Sequence, residues 1–363
     1  TNKFMQLDAN TRRNLELTEN SKDRKKKGSL FWLLNKTKTS MGARTLRTFV
    51  EQPLFNEKLI NERLNSVEEL CKNIIARESL IELLSCVYDI ERLCGKVSYG
   101  NITPKDCLSL VKSLNQLPQI KQILTKFETE LISNVSNSIL DYSELVNLLS
   151  SAFIEDVSAK YTEGNFIKKG FSKELDEIKD ISTTGKNWLA TLETREKEET
   201  GIKDLKIAFN RVFGYYIEVT KSQLDLVPYR YQRKQTTVNS ERFITDELKQ
   251  IEDKILHAQE RSLELEMQIF NDIKNTLKIN IVNLQKTARS IDALLSLASV
   301  ACSNNYSKPT VKKSVNKIEI IDGRHPVVEY ILKSEDFVPN NTLLDDDENR
   351  TMIITGPNMA GKS

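Results

Sequence analysis

A chain of 363 residues with 53 lysines and arginines against 51 aspartates and glutamates has a net charge of only +2, which excludes a uniformly basic nucleic-acid binder and leaves any such site as a local patch. Apolar residues make up 39% and charged residues 29%, beside 12 glycines and 8 prolines; this suits a globular chain of two or three domains and excludes collagen-like or low-complexity architectures. No apolar run approaches the roughly 20 residues of a membrane span, so no membrane partner is expected.

The five cysteines, Cys71, Cys86, Cys94, Cys107 and Cys302, form no C-x-x-C pair, and two histidines, His257 and His325, are too few for a histidine-based metal site. Scattered thiols and the lack of a signal-peptide pattern fit a cytoplasmic protein, nucleoid-associated if bacterial.

In chain order, Leu7 to Thr18 alternates apolar and polar residues and predicts a short strand or irregular edge. Lys22 to Lys27 is a basic run with one acid, read as a solvated loop. Ser29 starts a helix through Leu34, and Thr39 starts another that ends before Pro53, since proline disfavours helix in the residue ahead of it. Helical spacing continues from Asn56 to Cys71 and from Ile74 to Leu84. Thr103-Pro104, a cap followed by proline at the first helical position, opens a helix to Leu114. This region is all-α, and none of its residues looks catalytic.

Phe171 to Thr200 is a charged helical segment carrying Leu175, Ile178, Ile181, Trp188, Leu189 and Leu192, with Ser182-Thr-Thr-Gly185 a local weakness. From Gln250 to Phe270 a second segment places Leu248, Ile251, Ile255, Ala258, Ser262, Leu265 and Ile269 at coiled-coil spacing. Some 35 helical residues span about 50 Å, so two such helices form antiparallel arms with residues 201–242 at their tip. There the period switches. Leu205 to Phe209 and Tyr215 to Thr220 alternate like strands, and Gln232 to Val238 is a third strand candidate. Lys221, Arg230, Arg233, Lys234 and Arg242 bring positive charge, interleaved with Tyr229 and Tyr231. Such side chains supply sequence-independent contacts to phosphates, or else merely solvate a small domain.

After Lys278 the pattern returns to a core-like helix, Ser290 to Val300, followed by strand candidates Lys317 to Ile321 and Pro326 to Ile331. Asp345-Asp-Asp-Glu-Asn349 reads as a solvated acidic loop. Met352 to Thr355 predicts a short buried strand leading into Gly356 and Gly361-Lys362-Ser363, which fit G-x-x-x-x-G-K-[ST]. Such glycines let backbone N–H groups curl around a phosphate; Lys362 would neutralise the β/γ-phosphates of ATP or ADP, and the Ser363 hydroxyl would ligand Mg²⁺.

Thr355-Gly-Pro-Asn-Met-Ala-Gly-Lys-Ser363 resembles the P-loop of the MutS family of DNA mismatch-repair ATPases, with Pro357, Asn358, Met359 and Ala360 as its distinctive filling. Further words of that family stand in order: Asp8-Ala-Asn-Thr-Arg-Arg-Asn-Leu-Glu16, Leu34-Asn-Lys-Thr-Lys-Thr-Ser-Met-Gly-Ala-Arg44, Glu51-Gln-Pro-Leu54 and Asp89-Ile-Glu-Arg92. At the tip, Phe213-Gly-Tyr-Tyr-Ile-Glu-Val219, Arg233-Lys-Gln-Thr236 and Asn239-Ser-Glu-Arg-Phe-Ile-Thr245 are similar to the family's clamp. Gly323-Arg-His-Pro-Val-Val-Glu329 resembles the entry to its ATPase domain, with His325 structural, and Asp336-Phe-Val-Pro-Asn340 the segment whose aromatic, Phe337, stacks on adenine.

The resemblance implies a multidomain fold, mainly α with a small β-rich insertion. Its parts are a helical core (1–165), a first lever helix (166–200), a β clamp (201–242), a second lever (243–278), a core return (279–315) and the start of an α/β P-loop ATPase domain of ABC type (316–363). It implies nucleotide contacts from Phe337 and from Gly356 to Ser363, and DNA contacts from Lys221, Arg230, Arg233, Lys234, Asn239 and Arg242. The expected partners are double-stranded DNA with mismatches or small loops, a MutL-type repair protein, and a second copy in a homodimer. The family's mismatch-reading and connector domains, and everything after the P-loop, lie outside these residues, so the chain reads as a middle fragment and a poor ATPase by itself. Two alternatives stay open: a family paralogue that grips recombination junctions, and a chromosome-structural ATPase with coiled-coil arms. The second would place its P-loop before the arms, whereas here it follows them.

Overall fold

The computed structural model describes residues 3–286, 289–332 and 337–356. Its first part is helical: α1 (Ala9–Asn14), α2 (Leu30–Leu34), α3 (Ser40–Glu51), α4 (Glu57–Lys72), α5 (Ile74–Ser85), α6 (Ile90–Ser98), α7 (Pro104–Leu114), α8 (Leu117–Leu124), α9 (Glu130–Ser138) and α10 (Ser143–Ala152). Next come α11 (Lys173–Thr200), the strands β1 (Lys206–Asn210), β2 (Gly214–Thr220), β3 (Gln232–Thr236) and β4 (Ser240–Ile244), and α12 (Asp246–Lys286). Then follow α13 (Arg289–Ser303), β5 (Lys317–Gly323), α14 (Pro326–Leu332) and β6 (Asn340–Asp345). The chain is thus mainly helical, with a small antiparallel sheet of order β1-β2-β4-β3 and a two-stranded β5-β6 sheet. It divides into two compact units, residues 1–99, 109–144 and 280–363 in one, and residues 100–108 and 145–279 in the other.

In the first unit, caps set the helix starts. Ser29 Oγ accepts from Trp32 N, Thr39 Oγ1 from Gly42 N and Asn56 Oδ1 from Leu59 N. Around Thr39 the packing is tight. Asp292 of α13 is 1% exposed, and its carboxylate accepts from Lys38 N at 3.0 Å, Thr39 N at 2.8 Å and Thr39 Oγ1 at 2.7 Å. A Cβ on Gly42 would lie 2.1 Å from Asp292 Oδ2, so only glycine leaves room for the buried acid at the start of α3. Arg44, one helical step on, forks onto both Asp89 oxygens at 2.8 Å and reaches Glu91 at 2.9 Å. The Arg44 guanidinium holds the Asp89 carboxyl below the usual range, against the opposing effect of burial. Two of the short words read in the sequence are therefore the two halves of one ion-pair cluster.

In the second unit α11 packs on α12. Gly185 is buried there because a Cβ would sit 2.4 Å from Ile255 Cγ1, so the helix runs unbroken through the segment expected to weaken it. Further along, the fully buried carboxylate of Glu266 pairs with Lys179 of α11 and accepts the Phe166 N–H at 3.2 Å. Phe270 beside it meets Phe153, Phe166 and Tyr161 edge-on, with centroids 5.7–5.9 Å apart.

Five local expectations are corrected. Residues 9–14 are helical, because Asp8 Oδ1 caps the Thr11 N–H at 2.7 Å and overrides the weak alternation. Pro326 to Ile331 is also helix: proline takes the first helical position and His325 Nδ1 accepts from Val328 N, which outweighs two β-branched valines. Ser240–Ile244 is a fourth strand missed in the alternation reading, paired on one side with β2 and on the other with β3. Beyond Ala258 the buried stripe of α12 runs through Glu266, Phe270, Ile273 and Leu277 rather than Ser262, Leu265 and Ile269. A 3.6-residue helix drifts against a strict heptad, and the inward residue at the shift is an acid that pattern reading scores as surface. Finally, Met352 to Thr355 forms no strand and is exposed, Ile353 to 83%. A strand exists by pairing, and among the described residues none lies alongside to accept its ladder.

Candidate nucleic-acid interface

The four-stranded sheet is built on the ends of the two long helices. Its inner face, Ile217, Val219 and Phe243, joins Ile202, Leu205 and Tyr231 in one core with Leu189 and Leu192 of α11 and Leu248 and Ile255 of α12. Backbone seams complete the joint. Glu193 of α11 accepts the Ile207 N–H at 2.9 Å, and Glu252 of α12 accepts the Tyr215 N–H at 3.2 Å. Burial opposes ionisation of Glu193, but the Ile207 N–H and Lys197 hold its carboxyl below the usual range. Gly214 turns β1 into β2 at φ +75°, and a Cβ there would meet Glu252 Oε1 at 1.8 Å. The sheet therefore cannot swing freely on its arms.

Residues 201–242 hold eight lysines and arginines against four carboxylates, an excess of four, while the whole chain has an excess of two. Positive charge is thus concentrated in the sheet region and absent on balance from the rest. The structure sorts the six residues expected to touch DNA into two groups. Arg230 reaches back to Glu196 at 2.7 Å and Glu199 at 2.8 Å on α11. Glu196 is 3% exposed and also takes the Tyr231 hydroxyl at 2.6 Å; burial, then this bond, pushes the tyrosine up. Arg233 pairs with Glu241 at 2.8 Å. Arg242 lies over the Tyr216 ring at 4.3 Å, donates to Gln235 Oε1 at 2.8 Å and has Glu218 at 3.6 Å. Arg233 stands opposite Phe243, the neighbour of Arg242 on β4, so strand alternation puts the two arginines on opposite faces, and a bulge between Arg233 and Gln235 brings Gln235 opposite Arg242.

Lys221 and Asn239 form the other group with Lys234. Lys221 N donates to Asn239 O at 3.1 Å, which brings these two exposed residues to the same end of the sheet. Lys234 Nζ rests on the Phe213 carbonyl at 2.7 Å, at the β1–β2 turn. Among the described residues none of the three has a carboxylate partner. Arg211 on that turn and Lys203 are also exposed and have no carboxylate partner among the described residues; neither sits in a recognisable word of the sequence. Tyr229 and Val238 project fully or nearly so into solvent. The surface offers cations that can exchange water for phosphate without first breaking an internal ion pair.

The expected nucleotide residues are less completely placed. Phe337 is half-buried and Gly356 is exposed with open space around it. Pro357, Asn358, Met359, Ala360, Gly361, Lys362 and Ser363 lie outside the described residues. Among the described helices none is long and apolar enough to cross a membrane.

Fold and site together define a class: a helical scaffold that carries a small basic antiparallel sheet on two packed helices. Residues 10–301 match the family model for MutS domain III. The DNA mismatch repair protein MutS of Clostridium botulinum (strain Okra) is 48% identical over 99% of this chain and 39% of its own length. That of Ruminiclostridium cellulolyticum is 50% identical over 99% of this chain and 42% of its own length. The chain belongs to the MutS family and spans about two fifths of the length of these curated relatives.

Proposed function

We propose that this chain is the DNA-gripping middle portion of an ATP-regulated mismatch-repair protein. The observation that carries the reading is a set of cations with no carboxylate partner among the described residues, Lys221 with Asn239 at one end of the sheet and Lys234 with Arg211 at the β1–β2 turn, on a fold anchored to two long helices. Such a surface binds the phosphate backbone of duplex DNA without reading sequence. Residues 1–165 and 279–315 serve as core, 166–200 and 243–278 as levers, and 201–242 as the clamp. Arg230, Arg233 and Arg242 contribute less, because carboxylates already hold them.

At the other end of the chain, residues 316–363 begin an ATPase domain. Phe337 stacks on adenine, Gly356 to Gly361 wrap the phosphates, Lys362 offsets their charge and Ser363 holds Mg²⁺. The natural substrate is duplex DNA with mismatches or small loops, and the working form is a homodimer that recruits a MutL-type partner.

The test is dissociation of the full-length protein from mismatched DNA, with and without ATP, in wild type and Lys362→Ala. Loss of ATP-driven release in the variant, with nucleotide-free binding intact, supports the reading. Equal release from both removes the P-loop from the switch.

A further inference from the structure

In the first unit, where α4, α5 and α13 meet, three side chains that take no part in the DNA or nucleotide reading come together. Cys302 lies exposed near the end of α13, and Arg77 of α5 donates from Nη1 to its sulfur at 3.0 Å. Cys71, near the end of α4, donates to the Ala298 carbonyl at 3.5 Å, one turn ahead of Cys302 on α13. Both sulfurs thus lie against the same turn of α13, Cys71 on the carbonyl four residues before Cys302.

Arg77 is buried, with 8% exposed. Among the described residues its one ion pair is to Glu78 at 3.2 Å from Nε, and that carboxylate is largely exposed. A buried guanidinium is costly unless negative charge faces it. On the Nη1 side the group that stands there is the Cys302 sulfur. A cationic donor beside a solvent-accessible sulfur is the setting in which a thiol becomes nucleophilic.

We propose that Cys302 and Cys71 form a peroxide-responsive dithiol site, with Cys302 oxidised first and Cys71 resolving it into a disulfide that joins α13 to α4. The Cys302 sulfur attacks one oxygen of hydrogen peroxide; the O–O bond breaks, an S–O bond forms, and hydroxide leaves with the thiol proton as water. Cys71 then displaces hydroxide from the sulfenic sulfur. An S–S bond forms, the S–O bond breaks, and the Cys71 proton leaves in a second water. Two thiols lose two electrons and two protons, and peroxide is reduced to two waters. Burial, and next the neighbouring Cys302, push the Cys71 thiol up to about 12, so Cys71 is not the thiol that meets peroxide first.

The other cysteines lack this arrangement. Cys94 and Cys107 are buried. Cys86 is exposed, but its neighbour is the Ser85 hydroxyl at 3.9 Å and not a cation. It is the internal control.

The experiment treats the full-length protein with a small excess of hydrogen peroxide, blocks remaining thiols, and maps peptides without reduction. The expected product is a Cys71–Cys302 cross-linked peptide that dithiothreitol reverses. In Cys71→Ser, dimedone should trap a sulfenic acid on Cys302. With limiting iodoacetamide, wild-type Cys302 should react about tenfold faster than Cys86, a difference that Arg77→Gln removes and Arg77→Lys largely keeps. Circular dichroism checks that each variant folds; if Arg77→Gln does not, Arg77→Lys and Cys71→Ser still decide the matter. Equal rates at Cys302 and Cys86 in wild type, or oxidised Cys302 with Cys71 still reduced, would overturn the proposal.

Discussion

Removing the Asp292 carboxylate should expose how the helical core is tied together. The acid is buried at the start of α3 and accepts two backbone N–H groups and one hydroxyl there. In Asp292→Ala those donors lose their acceptor. Each stranded buried group costs about 1–3 kcal/mol, and Lys38, being exposed, can recover part of its share from water, so the expected loss is about 3–5 kcal/mol. Gly42→Ala should reach a similar cost by another route, since its new Cβ would lie 2.1 Å from Asp292 Oδ2 and 2.6 Å from Cγ and push the carboxylate off its donors. In the double variant the methyl enters space the carboxylate has left. The combined cost should then fall short of the sum by about 1–3 kcal/mol, the coupling expected of groups in contact. Trp188→Phe leaves Trp32 as the sole tryptophan, on α2 of the same unit, so urea unfolding followed by its fluorescence reports this unit directly. Costs that simply add, or an Asp292→Ala loss below about 1 kcal/mol, would refute the assignment of that carboxylate as the tie.

Two further outcomes are expected. Arg44→Ala should lower stability by about 1 kcal/mol, discounted because the arginine is half exposed. Asp89 has its carboxyl depressed in the fold, so its contribution is complete above the ordinary carboxylate pKa and is lost as pH falls through the lower folded value. The gap between wild type and Arg44→Ala in urea midpoints should therefore be full at pH 7 and close below about pH 4. Gly214→Ala should cost about 1–3 kcal/mol through its positive φ and its clash with Glu252, read as faster amide exchange in β1 and β2 while α3 to α6 stay protected.

Much of this architecture was legible in the chain because it rests on local chemistry. Ser29, Thr39, Asn56 and Thr103-Pro104 announced helix starts, and the change from helical spacing to alternation around residue 205 announced the sheet. What escaped depended on partners far away in sequence. The strand Ser240–Ile244 is mostly polar and becomes a strand by lying between β2 and β3. Glu266 reads as surface until Lys179 and the Phe166 N–H are seen to meet it. Conversely, Pro326-Val-Val looked extended because the histidine cap before it carries no propensity signal. The candidate site shows the same division. Its surplus of cations was readable from composition, yet nothing in the local sequence told that Arg230 is held by Glu196 and Glu199 more than thirty positions earlier. Arg233 faces Glu241 only because strand register puts it there, so charge count overstated the arginines and understated Arg211.

The most direct measurement compares two double reversals in the full-length protein, Lys221→Glu with Lys234→Glu on the sheet, and Lys173→Glu with Lys186→Glu on α11. Both change net charge equally, and binding to matched and mismatched duplexes is followed by fluorescence anisotropy over a salt series. The sheet variant should lose affinity for both duplexes alike, and its salt slope should fall by about two, one for each phosphate contact removed. The α11 variant should keep the wild-type slope. A sheet variant with wild-type affinity and slope, or an α11 variant with the same losses, would contradict the assignment of this sheet as the DNA grip.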